Sequence, residues 1–128
     1  MLRDRDRRIL EAPNFASVAT LMPDGSSHVS TIWIDVDGDD VVFNTSEGRV
    51  KTVNIRRDPR VAISVFDRND PYEQVVIRGT VVDLTHDGAE EHIDRLAKKY
   101  LGLDAYPWLE PGEQRVIVRV HPDRVSDG

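Results

Sequence analysis

The sequence predicts a mainly β protein, a small antiparallel β-barrel with flanking helices, on the basis of three observations. Six apolar stretches have the length of strands, turn-forming residues separate them, and only one stretch shows a strong helical pattern. In a chain of 128 residues, many short strands between turns are typical of a barrel. The six predicted strands cover residues 15–22, 28–36, 41–44, 60–67, 74–84 and 113–121.

Tight turns join the first three predicted strands. Pro23-Asp24-Gly25-Ser26 follows the first strand, and Asp37-Gly38-Asp39 follows the second. We therefore expect these three strands to form an antiparallel meander. The first strand has apolar residues on both faces, as in a sheet that is covered on both sides or closed into a barrel. Gly79 lies inside the fifth strand, where a glycine usually marks a bulge or a sharp bend.

The clearest helix is predicted over residues 87–101. Its apolar residues recur at helical spacing, its acidic residues lie at the start, and its lysines lie at the end. Gly102 follows as a C-terminal cap. Shorter helices are predicted over residues 2–11, which Pro13 ends, and in the segment before Pro59.

Composition and charge exclude several classes of protein. Hydrophobic residues make up 39% and charged residues 31% of the sequence, and the length suits a single domain over residues 1–128. A formal net charge of −6 argues against a nucleic-acid partner, which needs a basic face. The apolar runs are too short to span a membrane, the N-terminus lacks the apolar region of a signal peptide, and cysteine is absent. We therefore expect no membrane partner and a cytoplasmic location.

The residues after the third strand form a candidate anion-binding site. Thr45 and Ser46 lead into a short helix, and free N–H groups at a helix start attract an anion. Arg49 and Lys51 add positive charge beside that start. Residues two apart on a helix diverge, so both cations can reach one phosphate only if Arg49 still belongs to the turn. Taken alone, the stretch also suits a surface helix with solvated charges.

The titratable residues suggest no acid–base or metal chemistry. Nothing resembles a Ser-His-Asp triad, and the histidines, at positions 28, 86, 92 and 121, lack the spacing of metal ligands. We therefore predict no catalytic side chain and no metal site. His86 and His92 are predicted at the surface, His121 is predicted to be structural, and His28 lies near the predicted groove.

Short motifs along nearly the whole chain have the order and spacing of one family. They are Ala19-Thr20-Leu21 with Pro23-Asp24-Gly25, Val29-Ser30-Thr31-Ile32-Trp33, Phe43-Asn44-Thr45, Gly48-Arg49-Val50-Lys51, Asn54, Arg57-Asp58-Pro59-Arg60-Val61, residues 76–79, Arg115-Val116-Ile117-Val118 and Pro122-Asp123-Arg124-Val125. The sequence resembles the pyridoxamine-5′-phosphate-oxidase-like split β-barrel family, and is most similar to its branch of deazaflavin (coenzyme F-420)-dependent oxidoreductases. The resemblance implies a six-stranded antiparallel split β-barrel of the FMN-binding type.

The resemblance also implies a homodimer with two cofactor sites between the subunits. The cofactor would be coenzyme F-420 or, as the alternative, FMN. Its phosphate would meet Arg49 and Lys51, its ring would lie near residues 30–33, and the partner chain would contribute Trp108, Gln114 or Arg115. The residues implied to bind the cofactor are Ser30, Thr31, Ile32, Trp33, Thr45, Ser46, Arg49, Lys51, Asn54, Trp108 and Arg115.

The implied activity is hydride transfer between the reduced cofactor and an unidentified conjugated small molecule. A cofactor that carries the hydride is compatible with the lack of an obvious acid or base. An oligoglutamate tail on a deazaflavin would need further basic residues, for which Arg56, Arg57 and Arg60 are candidates. The alternatives are an FMN-binding oxidase or flavin reductase, a non-catalytic protein that binds a cofactor or a tetrapyrrole, and an oligonucleotide-binding barrel. The net charge and the few strand aromatics count against the last.

Overall fold

The computed structural model describes residues 1–128, which form one antiparallel sheet and three helices. The helices are α1 (Asp4–Glu11), α2 (Val50–Arg57) and α3 (Ala89–Leu101). The strands are β1 (Ala16–Leu21), β2 (Ser27–Ile32), β3 (Ile34–Asp37), β4 (Asp40–Ser46), β5 (Arg60–Asp67), β6 (Asp70–Thr85) and β7 (Arg115–Ser126). Their order in the sheet is β2-β1-β5-β6-β7-β4-β3. The prediction of a mainly β protein with flanking helices is confirmed.

The sheet has seven strands, and the predicted count of six is wrong. The predicted strand 28–36 is two strands, because β2 ends at Ile32 and β3 begins at Ile34. Both predicted antiparallel pairings are present, of β1 with β2 and of β3 with β4. They do not form one continuous meander, however, because the break places β2 and β3 at opposite ends of the strand order. β2 and β3 are the two edge strands, and only Trp33 separates them in the chain. The sheet therefore curls until its two edges approach each other, which gives a half-barrel.

The break at Trp33 has a visible cause in α3. The Trp33 indole stacks on the Tyr100 ring, with centroids 5.3 Å apart and an interplanar angle of 7°. The Tyr100 hydroxyl accepts a 3.0 Å hydrogen bond from the Ile34 N–H and donates a 2.7 Å bond to the Asn14 carbonyl. The Lys99 ammonium donates to the Ile34 carbonyl at 2.5 Å. Side chains of α3 thus satisfy backbone groups that a continuous strand would leave to a neighbouring strand.

The core lies inside the curl of the sheet. Val116, Val118 and Val120 are fully buried on one face of β7, and Phe43 on the neighbouring β4 is fully buried as well. Leu10 brings α1 into the same cluster. The core is thus built mainly from alternate residues of the strands, as expected for a sheet with one covered face.

Gly79 marks an irregularity of β6, as predicted. The register between β6 and β7 shifts between Arg78 and Gly79. A Cβ atom at this position would lie 2.7 Å from both the His121 carbonyl oxygen and Val120 Cγ1. Only glycine therefore permits this close approach of the two strands.

The helices follow the predicted order. α3 begins two residues later than predicted and ends at Leu101, where Gly102 adopts a left-handed conformation with φ of 74°. The apolar residues of α3 that recur at helical spacing, among them Ile93 and Leu96, are buried. None of the three helices combines the length and the apolar character needed to cross a lipid bilayer.

Candidate functional site

A cavity lies where the start of α2 faces the junction of β2 and β3. Gly48, with φ of 88°, turns the chain after β4, and Arg49 is the N-cap residue of α2 in an extended conformation. Arg49 therefore belongs to the turn, which is the condition under which it and Lys51 can converge. No side chain caps this helix start, and its first turn contains no acidic residue. The helix thus begins with free N–H groups beside two cations.

The cavity has a volume of about 200 Å³ and combines a basic side with an aromatic side. Eight residues implied as cofactor-binding line it, and so do four others. The lining residues are Phe15, Thr31, Ile32, Trp33, Asn44, Thr45, Arg49, Lys51, Ile93, Tyr106, Trp108 and Arg115.

Three cations meet on the basic side. Burial lowers the pKa of Lys51, and repulsion from Arg49 and Arg115 lowers it further. No carboxylate forms an ion pair with Arg49 or Lys51, whereas Arg56 and Arg60 elsewhere on the surface each have one. The charges of Arg49 and Lys51 are therefore left uncompensated within the chain.

Arg115 is held more firmly than the other two cations. Its side chain is buried, its Nε donates a 2.8 Å hydrogen bond to the Asn44 amide oxygen, and its Nη1 donates a 2.8 Å bond to Glu113. The guanidinium carbon lies 5.1 Å from the centroid of the Tyr106 ring. Burial raises the pKa of Glu113, but hydrogen bonds from the Glu110 backbone, Arg115 and Ser46 outweigh it and lower the pKa overall. Glu113 therefore stays negatively charged and holds the Arg115 guanidinium in position.

Aromatic rings form another part of the cavity wall. Trp33 meets Tyr106 edge-on at 6.0 Å and lies 6.5 Å from Trp108, and the last two rings meet edge-on at 5.7 Å. Phe15 extends the cluster through Tyr100, at 5.5 Å. Edge-to-face and stacked pairs of this kind stabilise one another, so the rings form an ordered wall. This wall suits the face or edge of a planar conjugated ligand.

Three residues implied as cofactor-binding do not line the cavity. The buried Asn54 amide donates to the Thr20 hydroxyl at 3.0 Å and accepts from Arg57 at 2.9 Å, so it joins α2 to β1. The Ser46 hydroxyl contributes to the hydrogen bonding of Glu113. Ser30 lies on β2, and its Oγ is buried without a partner.

Trp108 and Arg115 line the cavity of their own chain. The expectation that a partner chain would bring them to the site is therefore not needed for either residue. Gln114, the third residue of that group, accepts a backbone hydrogen bond of 2.9 Å from the Glu47 N–H and does not line the cavity.

One prediction about the histidines is wrong. His92 is not at the surface but is 6% exposed on α3, because its ring turns inward onto Asn44 of β4. His86 is exposed, as predicted, and its Nε2 lies 2.7 Å from a Glu47 carboxylate oxygen. His28 does not line the cavity. No group of three or more histidine, cysteine, aspartate or glutamate side chains is arranged to hold a metal ion.

Comparison with known proteins identifies the family. The family model described as pyridoxamine 5′-phosphate oxidase matches residues 2–127. The chain belongs to the pyridoxamine 5′-phosphate oxidase family. A pyridoxine/pyridoxamine 5′-phosphate oxidase from Kineococcus radiotolerans is 38% identical over 72 residues, which are 56% of this chain and 32% of that protein. The match thus spans about a third of the length of this curated relative.

Solved structures of the same fold include proteins described by their cofactors. An F-420 reductase is 32% identical, with a TM-score of 0.84 over 95% of this chain and 96% of that chain. An FAD-binding protein from Mesorhizobium loti is 20% identical, with a TM-score of 0.68 over 97% of this chain and 92% of that chain, which shows a shared fold. Proteins of this fold thus include one described as an F-420 reductase and one described as FAD-binding.

The residues that the sequence interpretation missed are Phe15, Asn44, Ile93 and Tyr106. Tyr106 lies two positions before Trp108 in the same loop, and Asn44 directly precedes Thr45 on β4. Their neighbours in sequence were therefore the available signal. Phe15 and Ile93 had no such signal, because the curl of the sheet and the packing of α3 bring them to the cavity.

Proposed function

We propose that this family member is an F-420-dependent oxidoreductase that transfers a hydride between the reduced deazaflavin and a conjugated small molecule. The observation that carries the proposal is one cavity that is lined both by the uncompensated cations Arg49 and Lys51 and by a cluster of aromatic rings. A phosphorylated ligand with a planar ring requires both features. The 32% identity to an F-420 reductase over nearly the whole of both chains favours the deazaflavin.

The phosphate of the cofactor would lie between Arg49 and Lys51. Both side chains line the cavity without an ion pair, and the free N–H groups at the start of α2 add donors there. Thr45 provides a hydroxyl at the same end, and its Oγ1 lies 3.1 Å from the Thr52 hydroxyl. An anion would relieve the repulsion that lowers the pKa of Lys51. These residues thus fit a phosphate group.

The ring of the cofactor would lie against the wall formed by Trp33, Tyr106 and Trp108. When bound, the cofactor supplies the hydride chemistry, and the chain binds and orients it. No side chain is proposed as an acid or a base. Packing against the aromatic wall would exclude water from one side of the ring. The role of the protein is then mainly positioning.

The active form is proposed to be a homodimer of a single-domain chain. The cavity of about 200 Å³ is smaller than the roughly 300–1,000 Å³ usual for ligand sites, so a second chain would complete it. On the outer face of the sheet, Val29 is 61% exposed and lies opposite Ala19, and these two residues begin a short row of apolar side chains that the second chain would cover. Ala62 continues this row on β5.

Light scattering tests the homodimer. We expect a mass of twice 14.5 kDa for the natural chain, and a monomer that binds F-420 poorly for Val29→Asp. Val82→Asp is the matched control, because Val82 is a similarly exposed valine on β6 and outside that row. A natural chain that is monomeric and binds F-420 tightly would contradict the shared site.

The second candidate is an FMN-binding oxidase or flavin reductase. The family description and the FAD-binding neighbour favour it, and the same phosphate site would serve either cofactor. A non-catalytic carrier of a cofactor or a tetrapyrrole would use the same cavity without turnover.

Parallel fluorescence titrations with oxidised F-420 and with FMN separate these functions. We expect tight binding of F-420 and weak binding of FMN, followed by turnover of a conjugated acceptor with reduced F-420. A preference for FMN would support the second candidate. Tight binding without turnover of any acceptor would support the carrier. Binding of neither cofactor would overturn both enzyme functions and leave only a tetrapyrrole carrier.

A further inference from the structure

The orientation of the Asn44 amide is determined by its surroundings. Its oxygen accepts the Arg115 Nε–H at 2.8 Å, and its nitrogen donates to the Ala89 carbonyl at 2.9 Å. A flipped amide would place an NH₂ group against the Arg115 donor and an oxygen against the Ala89 oxygen. Because both partners have fixed roles, only one orientation satisfies them.

The Asn44 orientation fixes the tautomer of His92. The amide nitrogen of Asn44 lies 3.0 Å from His92 Nδ1, and this nitrogen is a donor only. His92 Nδ1 must therefore accept, which places the single ring proton on Nε2. His92 Nε2 is buried and has no hydrogen-bond partner. A second proton, on Nδ1, would turn this contact into a clash of two donors.

We propose that Asn44 and neutral His92 are positioning residues, which together hold the Arg115 guanidinium so that its Nη2 binds a carbonyl-type oxygen of the ligand ring. His92 orients Asn44, Asn44 holds Arg115 Nε, and Glu113 holds Nη1. Nη2 forms no hydrogen bond within the chain, and Arg115 lines the cavity. The contact with the ligand rests on the proposed function. The series of hydrogen bonds from His92 through Asn44 to Arg115, here called the relay, does not.

The chemistry of Arg115 differs from that of the phosphate site. Glu113 offsets its charge at 2.8 Å, and its guanidinium packs on Tyr106 at the aromatic side. Arg49 and Lys51 have no such carboxylate. A charge-compensated and desolvated donor suits a carbonyl oxygen, or the oxyanion that forms when such a ring is reduced, better than a phosphate group.

The surroundings of His92 keep it neutral. Burial is the largest cause, and with repulsion from Arg95 and Arg115 it lowers the pKa of His92 to about 4, although Asp35 and Asp37 act in the opposite direction. At neutral pH, the ring therefore carries only the proton on Nε2. The relay is thus intact under physiological conditions and would fail in acid, where Nδ1 gains a proton.

Nitrogen NMR on the full chain without ligand tests the relay. We expect His92 with an unprotonated Nδ1 at pH 7, and an Arg115 Nε–H that exchanges slowly with solvent. His92→Gln keeps an acceptor for Asn44 and should retain the protection of the Arg115 Nε–H from exchange with solvent. His92→Phe and Asn44→Ala should lower this protection at least roughly tenfold, as for a lost charged hydrogen bond. His121→Gln, an exposed change on the same strand as Arg115, is the control. Full protection in both His92→Phe and Asn44→Ala, or a proton on Nδ1 at pH 7, would overturn the relay.

A second measurement tests the ligand contact separately. F-420 affinity should fall roughly tenfold in His92→Phe and recover in His92→Gln, with both proteins folded. Unchanged affinity in His92→Phe, despite lost Nε–H protection, would overturn the contact with the ring oxygen. If the natural chain does not bind F-420, the proposed function fails, and the NMR result alone then decides the relay.

Discussion

Both ends of α2 carry basic residues, but those at the C-terminal end bind groups of their own chain and those at the N-terminal end have no carboxylate partner. At the C-terminal end, Arg56 binds Glu47 at 2.6 Å, and Arg57 donates to Asn54 at 2.9 Å and to the Leu21 carbonyl. At the N-terminal end, Arg49 and Lys51 face the cavity without a carboxylate. The helix dipole favours cations at a C-terminus and disfavours them at an N-terminus.

This difference distinguishes charged residues that stabilise the fold from charged residues that are proposed to bind a ligand. The C-terminal arginines satisfy carboxylate and carbonyl groups of their own chain, so the fold accounts for them. The N-terminal cations oppose the dipole. Burial, followed by repulsion from Arg49 and Arg115, also lowers the pKa of Lys51, so its charged form is disfavoured. Residues that lower stability without a partner in the chain are expected where a ligand provides the partner.

The largest expected effect comes from removing both N-terminal cations. Arg49→Ala with Lys51→Ala should weaken F-420 binding roughly a hundredfold or more, because each charged hydrogen bond contributes about 1.5–3 kcal/mol and 1.4 kcal/mol is tenfold. The matched control is Arg56→Ala with Arg57→Ala, which should leave the dissociation constant nearly unchanged, because both side chains bind groups of their own chain and do not line the cavity. A weakened affinity in this control would instead support their expected contact with an oligoglutamate tail. Fluorescence titration measures both. Unchanged affinity in a folded Lys51→Ala protein would remove the phosphate site.

A smaller effect should appear in the pH dependence of binding. The Lys51 pKa lies below its usual 10.5, and only the protonated ammonium attracts a phosphate. F-420 affinity should therefore fall as the pH rises through this lowered pKa. Lys51→Arg keeps its charge at every accessible pH and should hold its affinity further into the alkaline range. Titrations from about pH 7 to pH 10 compare the two proteins, and identical profiles would show that Lys51 does not carry the effect.

The smallest expected effect is on stability and has opposite signs at the two ends. Arg57→Ala loses two hydrogen bonds and should lower the free energy of unfolding by about 1 kcal/mol. Lys51→Ala removes a repelled cation and should leave this free energy unchanged or raise it by a few tenths of a kcal/mol. Urea denaturation measures both. A loss in Lys51→Ala equal to that in Arg57→Ala would make Lys51 a structural residue.

Sequence reasoning recovered the elements that local patterns determine. The apolar spacing and Gly102 predicted α3, and Gly79 predicted the irregularity of β6. The same reasoning missed the break at Trp33, because the groups that replace a neighbouring strand there belong to Tyr100 and Lys99, more than 60 residues away in the chain.

The candidate site was predictable where its residues follow one another, as Thr31 to Trp33 and Arg49 to Lys51 do. The family resemblance places Asn54 at the site, yet tertiary packing turns its amide onto Thr20. His92 looked like a surface residue on an amphipathic helix, and only the contact with Asn44 across the sheet places it inside. Side-chain direction across distant elements is thus what the sequence alone does not reveal.

The most direct test of the central claim is a crystal structure of the chain with bound F-420. We predict that the phosphate lies between Arg49 and Lys51 at the start of α2, and that the deazaflavin ring lies against Trp33, Tyr106 and Trp108. A cofactor bound elsewhere, or a phosphate that contacts the C-terminal arginines of α2 while the cavity stays empty, would contradict this account.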